Sequence, residues 1–185
     1  QAPGTGFPGE TTGVLPPPTN WSRSKRASIS YGYGISVSAL QLASAYTALA
    51  NDGRRVPPSL LKVKTPPVGD QVISSDNAHA LLGMMEKIVQ PNGPAKRAVV
   101  EGYRIAGKTG TVRKVTAGGY QKTAYRSLFA GVAPVSDPRI VTVVMIENPK
   151  GEEYYGGLVA APVFGRVVGK ALRLLDVPPD SKVGE

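Results

Sequence analysis

From Tyr103 onward the chain stops repeating apolar residues at helical steps and becomes a series of short runs rich in β-branched and aromatic residues. Runs at 103–115, 124–133 and 139–147 are separated only by Gly118-Gly119 and by Pro134-Val135-Ser136-Asp137-Pro138. Connections this short leave no room for a crossover helix, so the runs are expected to pair as an antiparallel meander. Either side of the sheet the period is helical. Val37, Leu40, Ala43, Tyr46 and Leu49 recur at three- and four-residue steps, predicting a helix over 36–50 that Asn51-Asp52-Gly53 stops. Ala78, Leu81, Leu82, Met85, Ile88 and Val89 form one face of a second helix, from 75 to the break at Pro91-Asn92-Gly93. Phe164, Val167, Val168, Ala171, Leu172 and Leu175 share one side of a last helix over 158–175, which should cover one face of the sheet. Residues 1–28 read as extended loop, and Leu60, Leu61 and Val63 as a short extended run between Pro57-Pro58 and Pro66-Pro67. Helices, then strands, then a helix make an α+β fold, an antiparallel sheet covered by helices, rather than alternating βαβ units.

At 185 residues and 41% apolar, the chain can bury a core as one domain or a large piece of one. It has no apolar run of about eighteen residues that could span a bilayer. Gln1-Ala2-Pro3-Gly4 carries no initiator Met and no leader, and reads as the interior of a longer chain. Without cysteine there is no disulfide and no thiolate metal site. The formal net charge of +9 favours anionic partners in general. Only Arg23-Ser24-Lys25-Arg26 clusters, with no interleaved aromatics and no zinc spacing, so nucleic acid is not an expected partner. No metal or cofactor is expected either.

The most informative segment is Gly102-Tyr103-Arg104-Ile105-Ala106-Gly107-Lys108-Thr109-Gly110-Thr111. Gly102 to Thr109 formally matches the phosphate-binding pattern G-x-x-x-x-G-K-T. That loop needs a helix directly after its lysine, with an N-terminus facing the phosphates. Here Gly110-Thr111-Val112-Arg113-Lys114-Val115 follows, which favours a strand. The same residues form Lys-Thr-Gly-Thr on a strand, which accompanies serine acyl transfer in β-lactamases and penicillin-binding proteins. Lys108 would supply a point charge that helps deprotonate a serine and holds the substrate. Gly110 would let a substrate lie against the strand, and Thr109 and Thr111 would offer hydroxyls to a carboxylate.

Three further stretches surround that strand: Ser30-Tyr31-Gly32-Tyr33-Gly34 running into 35–43, 124–134, and Tyr154-Tyr155-Gly156-Gly157 running into 158–164. Together they resemble class B penicillin-binding proteins over nearly the whole chain, and most closely the septal branch. The resemblance implies one portion, 1–185, of a transpeptidase domain in a serine D,D-transpeptidase that cross-links peptidoglycan stem peptides. It implies Lys108 as a catalytic residue and the backbone N–H of Thr111 in the oxyanion hole. Thr109, Gly110, Thr111, Arg113, Tyr125, Tyr154, Tyr155, Gly156 and Gly157 would bind or line the substrate. The partners implied are stem peptides ending in D-Ala-D-Ala, β-lactams, the upstream half of the same domain and division proteins. The parent would be bitopic in the bacterial inner membrane with this domain in the periplasm. A D,D-carboxypeptidase, an elongation transpeptidase and a non-catalytic penicillin-binding sensor or scaffold are the alternatives.

The family's nucleophile motif S-x-x-K and its S-x-N have only formal matches here. Ser22-Arg23-Ser24-Lys25 and Ser59-Leu60-Leu61-Lys62 read S-x-x-K, and Ser75-Asp76-Asn77 reads S-D-N. Ser22 lies among basic residues after a proline-rich loop. Ser59 sits in an extended run that would point Lys62 to the opposite side. Ser75 stands where an N-cap belongs, only 33 positions before Lys108. None is expected to be the nucleophile, and the chain alone is expected to be inactive. His79, mid-helix, is expected to be a surface or packing residue.

Overall fold

A serine hydroxyl takes up an otherwise unpaired N–H at the start of each of the first three α-helices. Ser22 Oγ accepts from Lys25 N–H (3.2 Å) to open α1 (Arg23–Ser30). Ser38 and Gln41 form a reciprocal capping box at α2 (Ala39–Leu49), with Oε1 of Gln41 accepting from Ser38 N–H (2.8 Å). The chain reverses after α2 through Asp52 and Gly53, at φ of 51° and 81°. β1 (Arg54–Arg55) then pairs antiparallel with β2 (Asp70–Gln71). Ser74 opens α3 (Ser75–Glu86), which tightens into a 3₁₀ turn at Lys87–Val89. The sheet follows: β3 (Ala106–Thr116), β4 (Gly119–Ala133) and β5 (Ile140–Glu147). α4 (Gly156–Val159) and α5 (Ala161–Leu174) close the chain. The structure is a computed structural model and describes residues 2–65, 67–116 and 119–181.

The strand order is β3-β4-β5, antiparallel throughout, with β3 on an edge. Period-two alternation gives the sheet two faces with different covers. Phe129 and Ala133 of β4, with Val144 and Ile146 of β5, pack with Phe164, Val168 and Leu172 of α5. The Phe129 and Phe164 rings meet edge to face at 4.8 Å, worth about 1 kcal/mol beyond their burial. Val132 of β4, Ala106 of β3 and Val141 of β5 instead pack with Leu82 and Met85 of α3 and Tyr46 and Leu49 of α2. Gly107 and Gly131 make room for the aromatic pair: a Cβ would stand 2.5 Å from Phe129 Cζ at the first and 2.8 Å from Phe164 Cζ at the second.

The α+β order and the antiparallel meander agree with the sequence reading, and several boundaries do not. Part of the expected N-terminal loop is α1, a helix with no buried residue; its polar sequence Arg23–Ser30 carries no apolar stripe to reveal it. Leu60, Leu61 and Val63 form no strand and are exposed; the pairing there is β1 with β2. Ser74, not Ser75, caps α3, and Ser75 is the first helical residue. β4 begins at Gly119, ahead of the expected 124, while Gly118 of the expected turn and Pro66 lie outside the described residues. Leu81, Val167 and Leu175, expected on inner faces, are 40%, 51% and 62% exposed. Each lies on the flank of its helix, where a covering layer this small leaves the apolar stripe partly bare.

The segment after α5 is tied back to the sheet by one carboxylate. Asp180 Oδ1 accepts from Arg104 N–H (2.7 Å), and Oδ2 from Ser136 N–H (3.1 Å) and Ser136 Oγ (2.9 Å). Tyr103 Oη donates to the Val177 carbonyl (2.7 Å) beside it. Asp180→Ala would remove three hydrogen bonds to a carboxylate at the root of β3, and is expected to cost about 2 kcal/mol in urea unfolding. An unchanged midpoint would contradict this role.

Candidate active site

Along β3 the side chains alternate between the two covers. Lys108 stands opposite Ala130 and Gly110 opposite Leu128, on the face shared with α2 and α3. Thr109, Thr111 and Arg113 stand opposite Phe129, Ser127 and Tyr125, on the face shared with α4 and α5. The lysine and the two threonines therefore approach the free edge of β3 from opposite sides. Lys108 Nζ donates to the Thr109 carbonyl (3.0 Å), which marks that carbonyl as pointing off the edge. In an antiparallel ladder a residue's N–H and C=O point the same way and alternate along the strand. The N–H of Thr111, two residues on, therefore shares that outward phase. Among the described residues no carboxylate pairs with exposed Lys108. The next lysine, Lys114, is instead neutralised by Glu147 (2.7 Å), which Arg126 also reaches. The Lys114 and Arg126 hydrogen bonds hold the Glu147 carboxyl below the usual carboxylate range.

One wall of the cleft is built by the segment before α4. Gly156 N–H donates to Thr111 Oγ1 (3.1 Å), and the buried Ser127 hydroxyl donates to the Tyr154 carbonyl. Gly156 and Gly157 are themselves buried. A Cβ on Gly156 would fall 2.2 Å from the Leu128 carbonyl oxygen and 2.5 Å from that of Gly110. On Gly157 it would fall 1.8 Å from the Pro94 oxygen. The two glycines thus hold α4 against β3 and β4, presenting backbone where side chains could not fit. Above Gly110 only the Leu128 side chain lies within 4 Å of the position a Cβ would take.

Tyr125 and Tyr154 stack at 4.0 Å, Tyr155 lies against Tyr154 at 4.4 Å, and the Arg113 guanidinium sits 5.7 Å over the Tyr125 ring. Tyr154 Oη donates to Tyr155 Oη (3.2 Å). That hydrogen bond, burial and the neighbouring phenols push the Tyr154 phenol up to about 12 from its ordinary 10.0. A raised phenol pKa stabilises the fold fully below pH 10 and loses that contribution as pH rises through about 12. Tyrosinate absorbance of the protein minus that of Tyr154→Phe should therefore titrate near pH 12. A midpoint near 10 would mean that the phenol pair is not formed.

Among the described residues none of the serines of the formal motif matches hydrogen-bonds to β3 or to residues 154–157. Ser22 Oγ caps α1 and meets Ser24 Oγ at 3.0 Å. Ser59 Oγ donates to the Leu61 carbonyl (2.7 Å) in an exposed turn. Ser75 opens an α-helix. His79 Nε2 meets Asp52 Oδ1 at 2.8 Å on the exposed outer side of α3. Sequence reasoning does not single out Ser127, the one buried polar side chain among the described residues. Its signal is parity: it shares the inward phase of Phe129 two residues later.

The sequence matches the penicillin binding protein transpeptidase domain family over residues 1–169. It is 44% identical to the probable peptidoglycan D,D-transpeptidase PbpC of Pseudomonas aeruginosa, over 95% of this chain and 31% of that protein. It is 41% identical to the peptidoglycan D,D-transpeptidase FtsI of Escherichia coli, over 98% of this chain and 31% of that protein. The chain thus spans about a third of these relatives. The solved transpeptidase domain of Burkholderia pseudomallei penicillin-binding protein 3 superposes with a TM-score of 0.92 at 45% identity, covering 98% of this chain and 56% of that one. With motif, sheet order and edge-strand geometry in agreement, the chain belongs to the transpeptidase domain family of the class B penicillin-binding proteins.

Proposed function

We propose that the full-length protein is a serine peptidoglycan D,D-transpeptidase of septal wall synthesis, and that residues 1–185 form the Lys-Thr-Gly portion of its single transpeptidase domain. A serine hydroxyl from the upstream half attacks the carbonyl of the penultimate D-Ala. The terminal D-Ala leaves as an amine, taking a proton. An amine of a neighbouring stem peptide then attacks the ester, forming the cross-link and returning the serine. Lys108 supplies positive charge beside the serine and lowers the cost of removing its proton. The Thr111 N–H, pointing off the edge, donates to the oxyanion, while Thr109 and Thr111 hydroxyls hold the substrate carboxylate. Arg113, Tyr125, Tyr154 and Tyr155 line the far end of the cleft, and Gly156 and Gly157 keep that wall close to the strand.

The observation that carries this reading is the placement of Lys108, without a carboxylate partner among the described residues, on the unpaired edge of β3. Stem peptides and β-lactams are then the ligands of the cleft, and the upstream half of the domain is its structural partner. A periplasmic position follows from such a substrate, with a membrane anchor outside these residues; no helix among the described residues is long and apolar enough to cross a membrane. Division proteins are the partners a septal enzyme would contact. The test is incubation of the full-length protein with a donor pentapeptide ending in D-Ala-D-Ala and an acceptor stem peptide. Release of D-Ala together with a cross-linked product is expected. Release with water as the only acceptor would identify a carboxypeptidase, and no release would leave a sensor or scaffold.

A further inference from the structure

A second concave surface lies behind the cleft wall, on the outer flank of α5. A groove of about 620 Å³ runs between this helix and residues 97–101. Arg166, Lys170 and Arg173 follow one another at steps of four and three residues, so they form a single row along it, about 10 Å from end to end. Among the described residues none of the three has an ion-pair partner, whereas Arg97 at the mouth is engaged by Glu153 (2.8 Å). Among the described residues Glu101 is the only carboxylate lining the groove.

Residues 98–100 run close beneath the glycines of α5. A Cβ on Gly165 would come 3.2 Å from the Val99 oxygen, and one on Gly169 3.1 Å from Val100 Cγ1. Val99 nonetheless remains 57% exposed along the groove. We propose that this groove docks an acidic peptide segment of a partner protein, with carboxylates on the cation row and apolar side chains on the floor.

An extended peptide presents alternate side chains on one face roughly 7 Å apart, so two neighbouring carboxylates fit within the roughly 10 Å length of the cation row. The groove shares no lining residue with the β3 cleft, so it adds a docking function to the proposed reaction rather than a step in it.

The test uses the full-length protein and a fluorescein-labelled octapeptide of alternating Glu and Leu, read by anisotropy. Saturable binding that weakens with added salt is expected, with none for the corresponding Lys-Leu peptide. Combined Arg166→Glu, Lys170→Glu and Arg173→Glu should weaken it at least about tenfold while leaving penicillin acylation unchanged. Arg166→Gln with Lys170→Gln, which introduces no repulsion, should weaken it in the same direction. Equal affinity in either variant would overturn the proposal. So would absence of peptide binding by the wild-type protein. Acylation reports on the β3 site independently, so failure of one reading leaves the other standing.

Discussion

Lys108→Ala in the full-length protein is expected to slow acylation by penicillin by about 100-fold or more, through lost electrostatic stabilisation of the reacting groups. The fold should tolerate this change. The side chain is exposed, its one hydrogen bond is to the neighbouring Thr109 carbonyl, and no carboxylate among the described residues is left unpaired by its removal. The effect should therefore appear in the acylation rate, with the unfolding midpoint essentially unmoved. Near-normal acylation in Lys108→Ala would remove this lysine from the site. Lys114 provides the contrast. Its charge is spent on Glu147, so Lys114→Ala should leave acylation within about threefold and cost no more than an exposed ion pair, about 1 kcal/mol or less.

The second large effect is steric. Gly157→Ala places a methyl group 1.8 Å from the Pro94 carbonyl oxygen, a distance that backbone must move to relieve. Overpacking of this kind typically costs up to about 3 kcal/mol. Any shift of α4 away from Pro94 also disturbs the neighbouring Gly156 N–H, which donates to Thr111 Oγ1. Acylation should fall together with stability, unlike in Lys108→Ala. Gly83→Ala on α3 is the control, since a Cβ there meets nothing within 4 Å. It should stabilise by about 0.5–1 kcal/mol through helix propensity. Equal unfolding midpoints for the two alanine variants would contradict the packing described for Gly157.

How much of this could be read in the sequence follows from which residues carry their signal locally. Strand runs joined by short polar turns permit little besides a meander, and the observed order β3-β4-β5 follows. The Ser38–Gln41 capping box is written as S-x-x-Q immediately before an apolar period. By contrast, α1 has no apolar stripe, and nothing in Arg23–Ser30 distinguishes it from loop. Val167 and Leu175 continue the apolar pattern of α5 but lie on its flank, since helix periodicity marks a direction without saying how wide the cover will be.

At the site, Lys108 and the threonines were legible because Lys-Thr-Gly-Thr is contiguous. Their division between two faces is likewise a matter of strand parity. The closeness of Gly156 and Gly157 to Leu128, Gly110 and Pro94 was not, because it depends on contacts made across 28 to 63 positions of chain. Asp180 is hidden for the same reason. It reaches Arg104 from 76 positions away, and nothing around it in sequence sets it apart from any surface aspartate.

The account rests most directly on the claim that the serine acylated by β-lactams lies outside these residues while Lys108 serves it. Intact-mass spectrometry with a penicillin, on the full-length protein and on residues 1–185 alone, tests the placement of that serine directly. The expected result is a single adduct on the full-length protein and none on 1–185. An adduct on 1–185 would mean that Ser22, Ser59 or Ser75 is a nucleophile after all, and no adduct on either would contradict the assignment of a penicillin-reactive site.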